Sequence, residues 1–452
     1  MCYTLIIEIG VVINMAKPPK KFSGLNKREI DFIKKKLGIT KIQDIDVTIL
    51  KRLKEDLKKI KDVRCKNKIT YKLWDVIMCT ILASFADNNT WEEIHDFVVD
   101  NYKWLKSFLQ MTGGIPNEDS YERIIGLINE RELNTILFDF FKTITLELNP
   151  TTKLNNFDGR FNNGSKRNNT ALNDAKKALN CLNVYSNEYG YCIVTEMIDD
   201  KTNEIPTIEE VVKTMNLTGT TTTWDALNSQ TKNVEAVVNA GGDYTIPIKG
   251  NQGIFYQDLI DYFDDKRREE IIAGNSQSAY LTYTEKSHSS IIKYELFQTS
   301  DIKWYSKLDD WKNVKTFGLV RKTITKKTLV ENKRKNAKRK KIEKIVTTTE
   351  NRYYISSRQV NINEFNEATR KHWNIENKIH WHLDVTFCQD KNTTTNKKAL
   401  LNLEIIHKFV LGVLERAKPS YNNKSLKSIR KHLSNNFEEF FPEFICYTML
   451  NH

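Results

Sequence analysis

Three carboxylates stand at places from which a fold could bring them together. Asp158 lies in the strand-like segment KLNNFDGRF and precedes Gly159, while Asp225 ends the β-like run TTTTWDA. Glu376 sits in RKHWNIENKIHWHLDVTF, residues 370–387, a helical pattern that also carries two tryptophans and three histidines. Active sites of open α/β sheets gather near strand ends. A pocket of fixed negative charge without neutralising lysines is costly unless it holds divalent cations. Hard oxygen ligands with no thiolate favour Mg2+ or Mn2+ over zinc, and a pair of such ions can activate an attacking oxygen and stabilise a leaving one in phosphoryl transfer. Each acid also has an ordinary reading: a turn residue before glycine, a helix cap at a strand end, a solvated helical glutamate.

The histidines offer a competing ligand set. His372 and His380 lie four residues before and after Glu376, so a helix would align them as a His-Glu-His stripe able to hold zinc. The other reading has them touching phosphate or packing beside the acid. His380 and His382 point about 200° apart on a helix and do not readily chelate one ion. Trp373 and Trp381 read as core anchors, or as a rim on which a displaced base stacks.

The elements that must position these groups change texture along the chain. Residues 1–66 form a basic, partly helical segment. Residues 67–149 form a helical accessory block, with YKLWDVIMCTILASFADN as a buried helix and WEEIHDFVVDNYKWLKSFL as an amphipathic one. Residues 150–415 alternate strands and helices, which implies a mixed α/β sheet, with a β-rich stretch at about 275–358 that includes EKIVTTTE and NRYYISS as strands. Residues 416–452 read as a C-terminal helical tail. The apolar opening MCYTLIIEIGVVIN is too short for a membrane span and carries Glu8; it reads as an edge strand, and Met15 is an alternative start.

The chain has 452 residues, 70 Lys+Arg against 57 Asp+Glu, and a net charge of +13. That length needs two or three globular units, and the charge suits a polyanion such as nucleic acid. The same lysine and asparagine excess arises from an A/T-rich genome, so charge alone names no partner. Seven cysteines without a C-x-x-C pair indicate neither a disulfide framework nor a zinc ribbon. A reducing compartment and no membrane are expected: cytoplasm, nucleoid-associated in a bacterium, or nucleus in a eukaryote.

Several blocks resemble the DDE transposases of bacterial insertion sequences, in the group that includes the H-repeat-associated proteins. They are Phe157-Asp158-Gly159-Arg160, DDKTNEI at 199–205, Trp224-Asp225-Ala226-Leu227 with Gln230, GGDYTIPIKGNQ at 241–252, Arg352-Tyr353-Tyr354-Ile355-Ser356-Ser357, and the stretch around Glu376. Their order matches the family, and the resemblance covers roughly residues 70–415.

The resemblance implies an α/β, RNase H-like mixed sheet preceded by an all-helical N-terminal domain. Asp158, Asp225 and Glu376 would be the catalytic triad and the ligands of two Mg2+ or Mn2+ ions. Glu376 comes 376 − 225 = 151 residues after Asp225, room for the β-rich insertion. The implied reaction is hydrolytic nicking at the terminal repeats, then attack of the freed 3′-hydroxyl on target DNA, with no covalent protein–DNA intermediate. The implied partner is double-stranded DNA, bound by a homo-oligomer.

Arg160, Lys249, Gln252, Arg370, His372 and His380 are expected DNA contacts around that site. Lys333, Arg334, Lys338, Arg339 and Lys340, from the run KRKNAKRKK, are expected contacts on a basic hairpin, where binding would weaken steeply with salt. Some family positions differ: the arginines and glutamate of an H-G-R-x-E-x-R block are missing from HSSIIKY at 288–294, and Thr369, His372 and Leu383 stand where wider relatives keep Tyr, Arg and Lys. Those losses keep two alternatives open: a catalytically idle or domesticated DNA-binding relative, and a nuclease that cuts without joining.

Overall fold

A computed structural model describes residues 25–145, 153–162, 179–198, 204–287, 290–331 and 341–450. Its first described part is helical: α1 (Lys27–Leu37), α2 (Ile45–Leu57), α3 (Leu73–Phe85), α4 (Trp91–Asp100), α5 (Tyr102–Leu105), α6 (Glu118–Ile125) and α7 (Glu130–Ile144). The apolar α3 is buried nearly all round. A reciprocal Thr90–Glu93 capping box starts α4. The segment from Trp91 onward, expected as one helix, breaks at Asn101, whose side-chain amide donates to the Phe97 carbonyl at 2.9 Å.

The sheet follows, with β1 (Leu154–Asn162), β2 (Leu179–Ser186), β3 (Tyr191–Met197), α8 (Glu204–Lys213), β4 (Thr221–Thr223), α9 (Thr231–Asn239), β5 (Asp243–Ile248), α10 (Ile254–Tyr262) and α11 (Asp265–Ala273). Four longer strands extend it: β6 (Ser278–Ser287), β7 (Ser290–Thr299), β8 (Thr316–Glu331) and β9 (Lys341–Ser356). EKIVTTTE and NRYYISS, expected as two strands, are parts of β9. All nine form one sheet in the order β3-β2-β1-β4-β5-β9-β8-β7-β6. β1 is antiparallel to β2 and parallel to β4, which is parallel to β5. The β-rich insertion joins through the antiparallel β5–β9 ladder, so it continues the central sheet.

The chain then returns as α12 (Ile362–Lys371), a single π-helical turn (Glu376–His380), α13 (Trp381–Val385), α14 (Lys397–Ala417), α15 (Leu426–Asn435) and α16 (Phe437–Leu450). Side chains alternate across β1. Phe157 joins the apolar core under α8–α10 with Trp224, Leu182 and Val184. The other face carries Asn156, Asp158 and Arg160 toward the returning helices, whose core merges with that of α1–α7. Residues 416–450 are therefore no tail. Arg430 of α15 is fully buried, donating to the carbonyls of Ser84 at 2.6 Å and Thr386 at 2.7 Å, which ties the end of α3 to the end of α13.

Candidate active site

Asp158 lies in the middle of β1, directly across from Asn183 of β2. At Gly159 a Cβ would come within 2.0 Å of Glu204 Oε1, so any larger residue there would displace that carboxylate. Glu204, the glutamate of the DDKTNEI block, is held from behind by Asn228 Nδ2 at 2.6 Å. Glu376 is brought over β1 by two fastenings. Asn156 Nδ2 donates to the Lys371 carbonyl at 2.6 Å and the His372 carbonyl at 3.3 Å, pinning the end of α12 to the sheet. Phe365 of α12 rests on Gly318 of β8, where a Cβ would approach its ring to 2.4 Å. The π-helical turn opens at Glu376 itself, and such turns recur at functional sites.

Ligand atoms of Asp158, Glu376 and His380 all lie within 4.8 Å of one another. His380 Nδ1 is 3.4 Å from Glu376 Oε1 and 3.6 Å from Asp158 Oδ2. Burial raises Asp158 to about 9, with help from its hydrogen bond to Glu376 and from the charges of Glu376, Glu204 and Asp225. Glu376, half exposed, moves the other way, to about 2, chiefly through the hydrogen bond from His380. Burial also lowers His380, so the imidazole is neutral at pH 7 and holds Glu376 as a hydrogen-bond donor rather than as a cation. The two carboxyls keep one proton between them.

Asp225 follows β4 and belongs to the same field, since its charge raises Asp158 and opposes the lowering of His372. It stands outside the 4.8 Å group. Its side chain is 50% exposed and pairs with Lys249 Nζ at 3.4 Å. His372 turns away from a His-Glu-His stripe: its Nδ1 lies 3.1 Å from Thr223 Oγ1, and burial lowers it to about 4.

The remaining expected contacts divide. Arg160 is only 5% exposed; its guanidinium donates to Glu404 Oε2 at 2.6 Å and to Asp384. Its charge therefore faces protein carboxylates and not a phosphate. His380 is likewise 5% exposed and bound within the protein. Lys249 is exposed, Gln252 donates to the Ser229 carbonyl at 2.6 Å, and Arg370 pairs with Glu285 at 2.5 Å. Lys333, Arg334, Lys338, Arg339 and Lys340 lie outside the described residues.

Behind the carboxylates lies a buried polar network. Glu404 and Lys408, one turn apart on α14, are 0% and 1% exposed and pair at 2.8 Å. Burial alone would raise Glu404, but Arg160 and Lys408 hold it well below the carboxylate range. Lys408 Nζ also donates to Asn183 Oδ1 at 2.5 Å and Thr195 Oγ1 at 3.0 Å. The signal for this pair was a glutamate and a lysine four apart inside the apolar run ALLNLEIIHKFVLGVL.

Carboxylates converging beside a mixed sheet, backed by a neutral imidazole, form an acidic cluster whose ligand atoms lie within 4.8 Å of one another. The family model described as Transposase DDE domain matches residues 157–409, and one described as DDE_Tnp_1-associated matches residues 54–141. The chain belongs to the DDE transposases, in the bacterial insertion-sequence group. It is 25% identical over 361 residues to the candidate transposase YncI of Escherichia coli O157:H7, covering 79% of this chain and 86% of that one. To the H repeat-associated candidate transposase YhhI of Escherichia coli strain K12 it is 26% identical over 342 residues, covering 75% and 84%. A solved piggyBac transposase synaptic complex with hairpin DNA aligns over 92% of this chain and 81% of that one, at 12% identity and TM-score 0.33.

Proposed function

We propose that this transposase cleaves DNA at the ends of an insertion-sequence-type element and joins the freed 3′-hydroxyls to target DNA, with Asp158, Asp225 and Glu376 holding two Mg2+ or Mn2+ ions. The observation that carries the reading is the meeting of Asp158 and Glu376 within 4.8 Å, where burial, a hydrogen bond to Glu376 and mutual repulsion push Asp158 to about 9. A divalent cation relieves that repulsion, and the donor set is hard oxygen. When bound, the ions supply an activated attacking oxygen and charge stabilisation at the leaving oxygen. The strand order β3-β2-β1-β4-β5, with Asp158 on central β1 and Asp225 just after β4, supports an RNase H-like core.

Lys249 has a part of its own. A DNA phosphate at the rim competes with Asp225 for that ammonium and so frees Asp225 for a cation. Gln252, Arg370 and His372 are further candidate DNA contacts, and the basic run at 333–341 supplies more. DNA is bound by a homo-oligomer. The Asp225–Lys249 pair at 3.4 Å also favours a second reading, a catalytically idle DNA-binding relative in which the lysine takes the place of the metal.

Incubating the protein with Mg2+ and DNA carrying the element's own terminal repeats separates the readings. Cleavage followed by joining is expected. Asp158→Ala, Asp225→Ala and Glu376→Ala should each abolish both steps and retain DNA binding. Absence of cleavage by the unmodified protein sinks the enzyme reading, and cleavage without joining makes it a nuclease.

A further inference from the structure

His380 offers a nitrogen to the carboxylate cluster, and the residues behind it decide what that nitrogen can do. An ammonium only donates hydrogen bonds, so Lys408, 2.5 Å from Asn183, faces the amide oxygen. Thr195 Oγ1 donates to the same oxygen at 3.2 Å. The amide nitrogen of Asn183 must then face His380 Nε2, which it does at 3.2 Å. A primary amide nitrogen is a donor, so Nε2 accepts. The proton of the neutral ring sits on Nδ1, shared between Glu376 at 3.4 Å and Asp158 at 3.6 Å.

We infer that His380 is a positioning donor to the two carboxylates and not a metal ligand, and that Lys408, acting through Asn183, holds it in that role; this rests on the metal site proposed above. Ligation through Nδ1 would need a lone pair there and would move the proton to Nε2. The N–H would then point at the amide N–H of Asn183, two donors face to face at a residue only 5% exposed. Turning the amide over would set its nitrogen against the Lys408 ammonium. Of the three groups within 4.8 Å, the two carboxylates alone present lone pairs to an ion. Such a site takes hard cations and discriminates against zinc, cobalt and nickel, which prefer imidazole.

The test begins on metal-free, full-length protein labelled with 15N-histidine, with the His380 signals assigned by comparison with His380→Gln. The expected spectrum has a protonated Nδ1 and an unprotonated Nε2; the reverse overturns the inference. Zn2+ and Mn2+ titrations of the same protein and of Asn183→Asp follow. The new carboxylate still accepts from Lys408 and Thr195 but also accepts from Nε2–H, which releases Nδ1. Zn2+ affinity relative to Mn2+ should then rise about tenfold or more, a usual size for changes behind a ligand. No gain in Asn183→Asp, or a zinc site in the unmodified protein that disappears in His380→Gln, refutes it. If the unmodified protein binds neither Mg2+ nor Mn2+, the proposed function fails, while the tautomer measurement still decides the role of His380.

Discussion

The two halves of the nine-stranded sheet are joined by backbone yet built to opposite rules. From β3 to β5 the strands are short and enclosed; β2 is buried along nearly its whole length. From β9 to β6 they run long, and β6 alternates between partial and full exposure with no buried residue. The near half, together with α14 packed on it, places a carboxylate, an arginine, an asparagine and a lysine in the interior, each held by a named partner. The far half lines up threonines and lysines in water, as in the Thr323–Thr349 and Thr325–Thr347 hydroxyl pairs. Polarity inside is specified residue by residue, because each unpaired buried group is costly. Polarity outside is interchangeable.

Substitutions should sharpen or break that contrast, beginning with the largest effect. Asp158→Asn or Glu376→Gln should slow DNA cleavage by on the order of 10³-fold, the several kcal/mol a cation contributes to such a transition state. Circular dichroism should remain unchanged; equal activity would break the near half's claim to the chemistry. Next, Glu404→Ala leaves Lys408 buried with no carboxylate partner and Arg160 with Asp384 alone, and should cost about 3–5 kcal/mol in urea unfolding.

The third prediction concerns pH. Because Asp158 is raised from the ordinary 3.8 to about 9, the folded protein holds a proton the unfolded chain releases, so metal-free stability falls as pH rises from about 4 toward about 9. Mn2+ at about 100 times its Kd should restore about 2.7 kcal/mol. The gain in Tm should grow with pH across that window, and a flat response would place the cation elsewhere. Smallest of all, Thr323→Val should change stability by no more than about 0.5 kcal/mol. A larger loss would mean that the far half is as tightly specified as the near one.

What was legible in the sequence follows the same division. The strand–turn–strand pattern around Asn187–Gly190 is local and could be read directly, whereas Asp158, Asp225 and Glu376 stand together as a triad only through the family resemblance of their blocks. Arg160 and His380 are expected from the sequence as DNA contacts, His380 alternatively as packing beside the acid. Their true partners lie far away: Arg160 meets Glu404 across 244 residues, and His380 meets Asn183 across 197. Periodicity does not report such pairings. Glu204 lies within a matching block, yet its place beside Asp158 shows only in the fold, through its close approach to Gly159 and its charge on Asp158. Helix breaks behave alike, since Asn101 ends α4 through a side-chain hydrogen bond that no apolar pattern encodes.

The continuity of β5 with β9 also has a mechanical side. β8 and β9 are 16 residues each, so at about 3.3 Å per residue they reach about 50 Å from one end to the other. A strand pair of that length is a lever arm, and its fulcrum is the four-pair ladder from Thr245–Ser356 to Ile248–Tyr353. Force applied at the far end turns about that fulcrum. The next residue along β5 is Lys249, the clasp on Asp225. Any bending of the ribbon at that ladder therefore acts beside the Asp225–Lys249 pair.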